Sequence, residues 1–139
     1  MHPIAKNITA FMVGFVAGGF ANWLTIKYLS PIIGLPVGVD PNDLESMQAN
    51  IHLYEAKHFV APFVAHCLGS LVGAFVCSKI AAKYHLGLSM GIALLFIFGG
   101  ATMVVLLKSP IWYNSTDLLL AYFPMAYIGW MLAGSKKYV

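Results

Sequence analysis

The chain has 139 residues, of which 60% are hydrophobic and only 9% are charged. Soluble domains carry about 25% charged residues, so the composition excludes an ordinary soluble globule and points to an integral membrane protein. All eight cations are lysine and the net charge is +3; the lysines flank apolar stretches, which makes them topology signals rather than a nucleic-acid-binding face.

Four apolar segments approach the ~20 residues needed to cross a bilayer. The first runs from Ile8 to Leu29. Lys6 ahead of it and the triplet Gly19-Phe20-Ala21 imitate a secretory leader. The apolar run continues past the triplet, so the reading is a retained membrane helix. Ala10, Gly14, Gly18 and Asn22 form one row along it at four-residue spacing.

A long polar connection follows. Pro36, Gly38 and Pro41 break its start. Asp40 or Asn42 is placed to cap a helix. Leu44, Met47, Ile51 and Tyr54 then recur at helical spacing, which predicts an amphipathic surface helix from Asp43 to Lys57. Beside it His52, Glu55 and His58 recur every third residue. Two imidazoles and a carboxylate are plausible ligands for zinc or iron, with Asp117 as a distant fourth. The plainer reading is a set of solvated polar side chains at the water interface. A di-iron site within one chain is excluded, because it needs a second Glu-x-x-His and two further glutamates.

The second apolar segment, Phe59 to Ala82, organises the chain. Small residues occupy every fourth position: Ala61, Ala65, Gly69, Gly73, Cys77 and Ala81. Ser70, Ala74, Ser78 and Ala82 form a second row with His66 at its head. In lipid, small faces let helices approach closely, because apolar side chains gain little by leaving one oily solvent for another. Cys67 and Cys77 are ten residues apart, about 15 Å along a helix, and cannot bridge.

The third segment runs from Leu86 to Leu107, and the fourth and shortest from Leu118 to Gly134, starting immediately after Asp117. Two partial matches suggest tandem duplication of a helical hairpin. Gly18-Gly19, Lys27 and Ser30-Pro31-Ile32 recur as Gly99-Gly100, Lys108 and Ser109-Pro110-Ile111. At an offset of 60, Ala61, Phe63 and Gly69 recur as Ala121, Phe123 and Gly129.

Lysine placement sets orientation. With a cytoplasmic N-terminus that side holds Lys6, Lys79, Lys83, Lys136 and Lys137, against Lys27, Lys57 and Lys108 outside. Both termini are therefore expected in the cytoplasm, in a plasma or inner membrane. Trp23, Trp112 and Tyr113 suit the outer aromatic belt.

A polar layer is expected in the outer half of the bilayer. Asn22, His66 and Thr102 each fall about 9 Å inside the outer boundary, with Ser70 one turn below His66. His66 there shuttles a proton, binds a metal or holds a polar ligand group, or it merely fastens helices by bonding to Asn22 or Thr102. With these boundaries no helix interior holds a carboxylate or lysine, which speaks against a carboxylate-driven pump.

The fold class is thus an all-α membrane bundle of four helices in two hairpins. Three functions fit it. The first is a non-enzymatic protein acting through small-residue packing at Gly14, Gly18, Ala65, Gly69, Gly73 and Gly129, as a homo-oligomer or as an accessory subunit of a membrane complex. The second is a small-solute transporter or channel lined by Asn22, His66, Ser70 and Thr102. The third is a metal- or ligand-binding protein using His52, Glu55 and His58. No cofactor is indicated. The expected partners are lipid, a second copy or another membrane protein.

Overall fold

The computed structural model describes residues 2–134, and those residues form helices and turns with no strand. Lys136 and Lys137, used in the orientation argument, lie outside the described residues.

Helix α1 spans Pro3–Ile33. Proline in its first turn suits a helix start, where the missing N–H has no partner to lose. It ends at Gly34, whose φ of +80° few other residues adopt cheaply. Helix α3 spans Val60–Ile80 and α4 spans His85–Leu107. With the short turn preceding α3 included, three helices are long and apolar enough to cross a membrane. The all-helical architecture is compatible with an integral membrane protein.

The predicted surface helix over Asp43 to Lys57 is interrupted. Asp43 caps α2 (Leu44–Ala49) by accepting a hydrogen bond from the Glu45 N–H at 3.0 Å. Asn50 ends it, its side-chain amide donating to the Ser46 carbonyl at 2.8 Å. Single 3-10 turns at Ile51–Leu53 and Ala56–Phe59 follow, separated by extended Tyr54 and Glu55. Side chains that bond to the local backbone compete with helix continuation, and here they stop it after six residues.

The fourth apolar segment also differs from expectation. It begins at Ile111 rather than Leu118 and divides into α5 (Ile111–Leu120) and α6 (Phe123–Leu132). Pro124 explains the break. It has no N–H for the Leu120 carbonyl, and its ring crowds that oxygen. Tyr122 occupies the junction with non-helical φ −110° and ψ −80°. Asp117, placed outside the membrane by the sequence reading, lies within α5 and is 2% exposed.

Helix α3 is the axis of the bundle and packs on α1, α4 and α6. Its buried residues are Ala61, Ala65, Gly69, Gly73 and Cys77 from one small row and Ser70, Ala74 and Ser78 from the other. Against α1 the approach is very close. A Cβ built on Gly14 would stand 2.7 Å from the Gly73 carbonyl oxygen, and one on Gly18 would stand 2.5 Å from that of Gly69. On the other side a Cβ on Gly129 of α6 would overlap the Leu71 carbonyl. Lipid offers apolar surface no reason to withdraw, so contact this close is what holds such helices together. The outward faces carry large apolar side chains, among them Ile8, Met12, Val16 and Phe20 on α1 and Phe98 and Val105 on α4.

The sequence-matched positions of the two hairpins have different backbones. Lys27 and Pro31 lie within α1, whereas Lys108 is a left-handed cap at φ +52° and Pro110 precedes α5.

Candidate functional site: a histidine against a buried aspartate and tyrosine at a helix break

His66 lies six residues into α3 and Asp117 six residues into α5. At 1.5 Å per residue both are about 9 Å from the starts of their helices. They meet there. His66 Nδ1 is 2.8 Å from Asp117 Oδ1 and 3.0 Å from Oδ2. The Tyr122 hydroxyl donates to Asp117 Oδ2 at 3.0 Å, and its oxygen is also 3.0 Å from His66 Nδ1. The interrupted segment is what makes this cluster. Asp117 comes from the last turn and a half of α5, and Tyr122 from the non-helical junction.

The fit around Tyr122 is close. The residue is 1% exposed, and a Cβ on Gly100 of α4 would overlap its hydroxyl. Tyr113, one turn before Asp117, is buried on the same face of α5. It stacks at 4.5 Å on Phe59, which borders Tyr54 and Trp112. This aromatic group ties the segment before α3 to the start of α5 and so sets the position of Asp117. Burial also raises the Tyr54 hydroxyl above its ordinary pKa.

A carboxylate can only accept, so His66 Nδ1 carries the proton and donates it. Among the described residues, every hydrogen bond of the His66 ring runs through Nδ1. The basic nitrogen is therefore Nε2, on a side chain that is 17% exposed. An imidazole oriented by a carboxylate on one nitrogen is set to take up and give back a proton on the other. Asp117 has no lysine beside it; His66 is its sole ion-pair partner among the described residues.

The expected layer of Asn22, His66, Ser70 and Thr102 is only partly assembled. Asn22 backs onto Gly69, its Cβ 3.1 Å from where a Cβ on that glycine would be. Its side-chain oxygen is buried with no hydrogen-bond partner. Ser70 is fully buried and its hydroxyl also lacks a partner. Thr102 is not part of the site. It is exposed and returns its hydroxyl to the Phe98 carbonyl at 2.8 Å. The reason is geometric: Gly100 faces Tyr122, and two residues further along a helix is a turn of about 200°. His66 bonds to neither Asn22 nor Thr102.

Neither are His52, Glu55 and His58 gathered as a ligand set. His52 is exposed. Glu55 and His58 cap each other's backbone, the Glu55 N–H donating to His58 Nδ1 at 2.8 Å. Among the described residues no three His, Cys, Asp or Glu side chains converge as metal ligands.

Sequence reasoning missed Tyr122 altogether and named Asp117 only as a distant fourth metal ligand, not as the partner of His66. Two signals were available: Pro110 as a helix start, which would bring Asp117 inside the span, and Pro124 as a helix breaker. The chain matches no family model, no curated protein and no solved structure.

Proposed function

We propose that the chain is a small integral membrane protein of four spans that moves a proton or small solute, with His66, Asp117 and Tyr122 as its exchange site. The observation that carries this reading is the burial of Asp117 against His66 at a break in an apolar segment. Ionisable side chains at membrane depth are expensive and mark solute or proton paths by default. Discontinuous helices recur where transporters hold ions. Together α5 and α6 cover 111–132, about 33 Å of helix, enough for a fourth crossing. The lysine distribution puts both termini in the cytoplasm. Duplicated hairpins remain the reading of the matched glycines and lysines.

The test is flux through vesicles containing the purified full chain and an internal pH-sensitive dye, under an imposed potassium diffusion potential. Proton flux above that of protein-free vesicles is expected, and loss of it in His66→Ala and Asp117→Asn. Parallel sodium and potassium arms identify a cation other than the proton. Vesicles no more permeable than empty ones in every arm would end the proposal.

A second reading is association with a copy of itself or with another membrane protein. It draws on the apolar face of α1 formed by Ile8, Met12, Val16 and Phe20. The glycines of α1 and α3 contribute little to it, since Gly14, Gly18, Gly69 and Gly73 are used within the chain. Native mass spectrometry from mild detergent separates the readings: a stable oligomer favours association, a monomer lipid-covered α1.

A further inference from the structure

Below the His66 cluster the same face of α3 stays polar. His66, Ser70, Ala74 and Ser78 follow one another at four-residue steps, about 6 Å apart along the helix. Ser70 and Ala74 are fully buried and Ser78 nearly so. At the far end the Ser78 and Ser89 hydroxyls are 2.8 Å apart, and Ser89 also reaches towards the Ala74 carbonyl at 3.4 Å. His85, buried at the start of α4, donates from Nδ1 to the Ser78 carbonyl at 2.8 Å. The bundle thus holds a buried polar column with a histidine at each end. Joining α3 to α4 does not require it, because small apolar residues pack as closely without desolvating hydroxyls. The unpartnered Ser70 hydroxyl in particular adds nothing to packing.

We propose that this column is a proton route through the protein, entering at His66 and leaving at His85. It rests on the exchange site proposed above and names the proton as the species moved. A proton released by His66 passes to the Ser70 oxygen, which gives up its own hydroxyl proton in turn. Ser78 and Ser89 repeat the exchange, and His85 accepts the proton and releases it on the lysine-rich side. Each hydroxyl loses one proton for each it gains, so the column ends neutral and resets by rotating its hydroxyls.

The interruption lies at Ala74. Ser70 and Ser78 are eight residues apart, about 12 Å, and the side chain between them in this row is the methyl group of Ala74. Ala74, Ala93, Ala121 and Ala126 close that layer around Tyr122. Transient water must cross it, so this layer sets the rate and prevents an open leak. At the outer end the ionisable neighbours are Asp117, Tyr113, Tyr122 and Cys67. From α1 the nearest cation, Lys27, is occupied over the Trp23 ring at 4.7 Å. At the inner end Lys79 lies over Phe75, and Lys83 is exposed beside the Asn7-capped turn.

The same vesicle assay tests the route. Ala74→Ser places a hydroxyl in the gap and is expected to raise proton flux on the order of a hundredfold, the lower end of what a positioned proton-transfer group contributes. Potassium and sodium leak should stay at the wild-type level. Ala74→Val fills the gap and should suppress flux. Ser78→Ala with Ser89→Ala should also suppress it, while Ser89→Thr keeps the hydroxyl and retains flux, which separates loss of the relay from loss of fold. If His66→Ala abolishes flux but none of the Ala74 and serine variants changes it, the route is wrong and the exchange site stands. If the wild type itself carries no proton, the exchange site fails as a proton site and the route fails with it.

Discussion

The Tyr122 hydroxyl occupies the space that a side chain on Gly100 would need. A single methyl group at residue 100 would overlap the phenol oxygen. The glycine of α4 thereby holds Tyr122 in reach of Asp117 and His66. We expect Gly100→Ala to displace the ring and to lower flux as Tyr122→Phe does, with no further loss in the double variant. Additive losses, read in a double-mutant cycle, would separate the two residues.

The pair His66–Asp117 should contribute more than an ordinary interhelical hydrogen bond. In membranes such bonds average about 0.6 kcal/mol, whereas leaving one partner of a buried ion pair alone costs about 3–5 kcal/mol. His66→Ala is therefore expected to lower the thermal unfolding midpoint in detergent much more than Thr102→Ala, whose hydroxyl only returns to its own helix. Equal shifts would reduce His66 to one helix fastener among many.

Glycine substitutions should divide by position. Gly18→Ala and Gly129→Ala push a methyl into the backbone of α3 and are expected to destabilise by about 1–3 kcal/mol. Gly19→Ala and Gly99→Ala meet nothing within 4 Å and should be neutral or slightly stabilising. Thermal unfolding of the four variants in one detergent checks the division.

Topology is open to labelling. Val37 is 99% exposed in the loop between α1 and α2. In a cysteine-free background, Val37→Cys should react with an impermeant maleimide from outside intact cells. Lys83→Cys, in the turn between α3 and α4, should react only after the membrane is permeabilised. The reverse pattern would invert the orientation.

Restoring the missing N–H at the break is a further check. Pro124→Ala allows a hydrogen bond to the Leu120 carbonyl and should extend α5 into α6. Tyr122 would then leave the non-helical geometry that presents it to Asp117. We expect raised helicity by circular dichroism together with lost flux; flux at the wild-type level would show that the break is not needed.

The membrane composition, the apolar segments and the small-residue rows of α3 were legible in the residues, because hydropathy and four-residue spacing are local properties of a chain. Val60–Ile80 emerges as the packing axis that its glycines, alanines and serines announce. His66 was also legible as a polar residue deep in that helix, since depth follows from residue count. Its partner was not. Asp117 stands at the edge of an apolar run, and hydropathy assigns an edge carboxylate to water. Only the start of α5 at Ile111, the break before Pro124 and the packing of both halves on α3 carry Asp117 and Tyr122 to His66 across more than fifty residues of sequence. Thr102 shows the converse: its depth matched His66, but its helix face points away from the bundle. Residue spacing gives depth along a helix; which faces meet is settled by how helices rotate and pack, a long-range property that no single stretch contains.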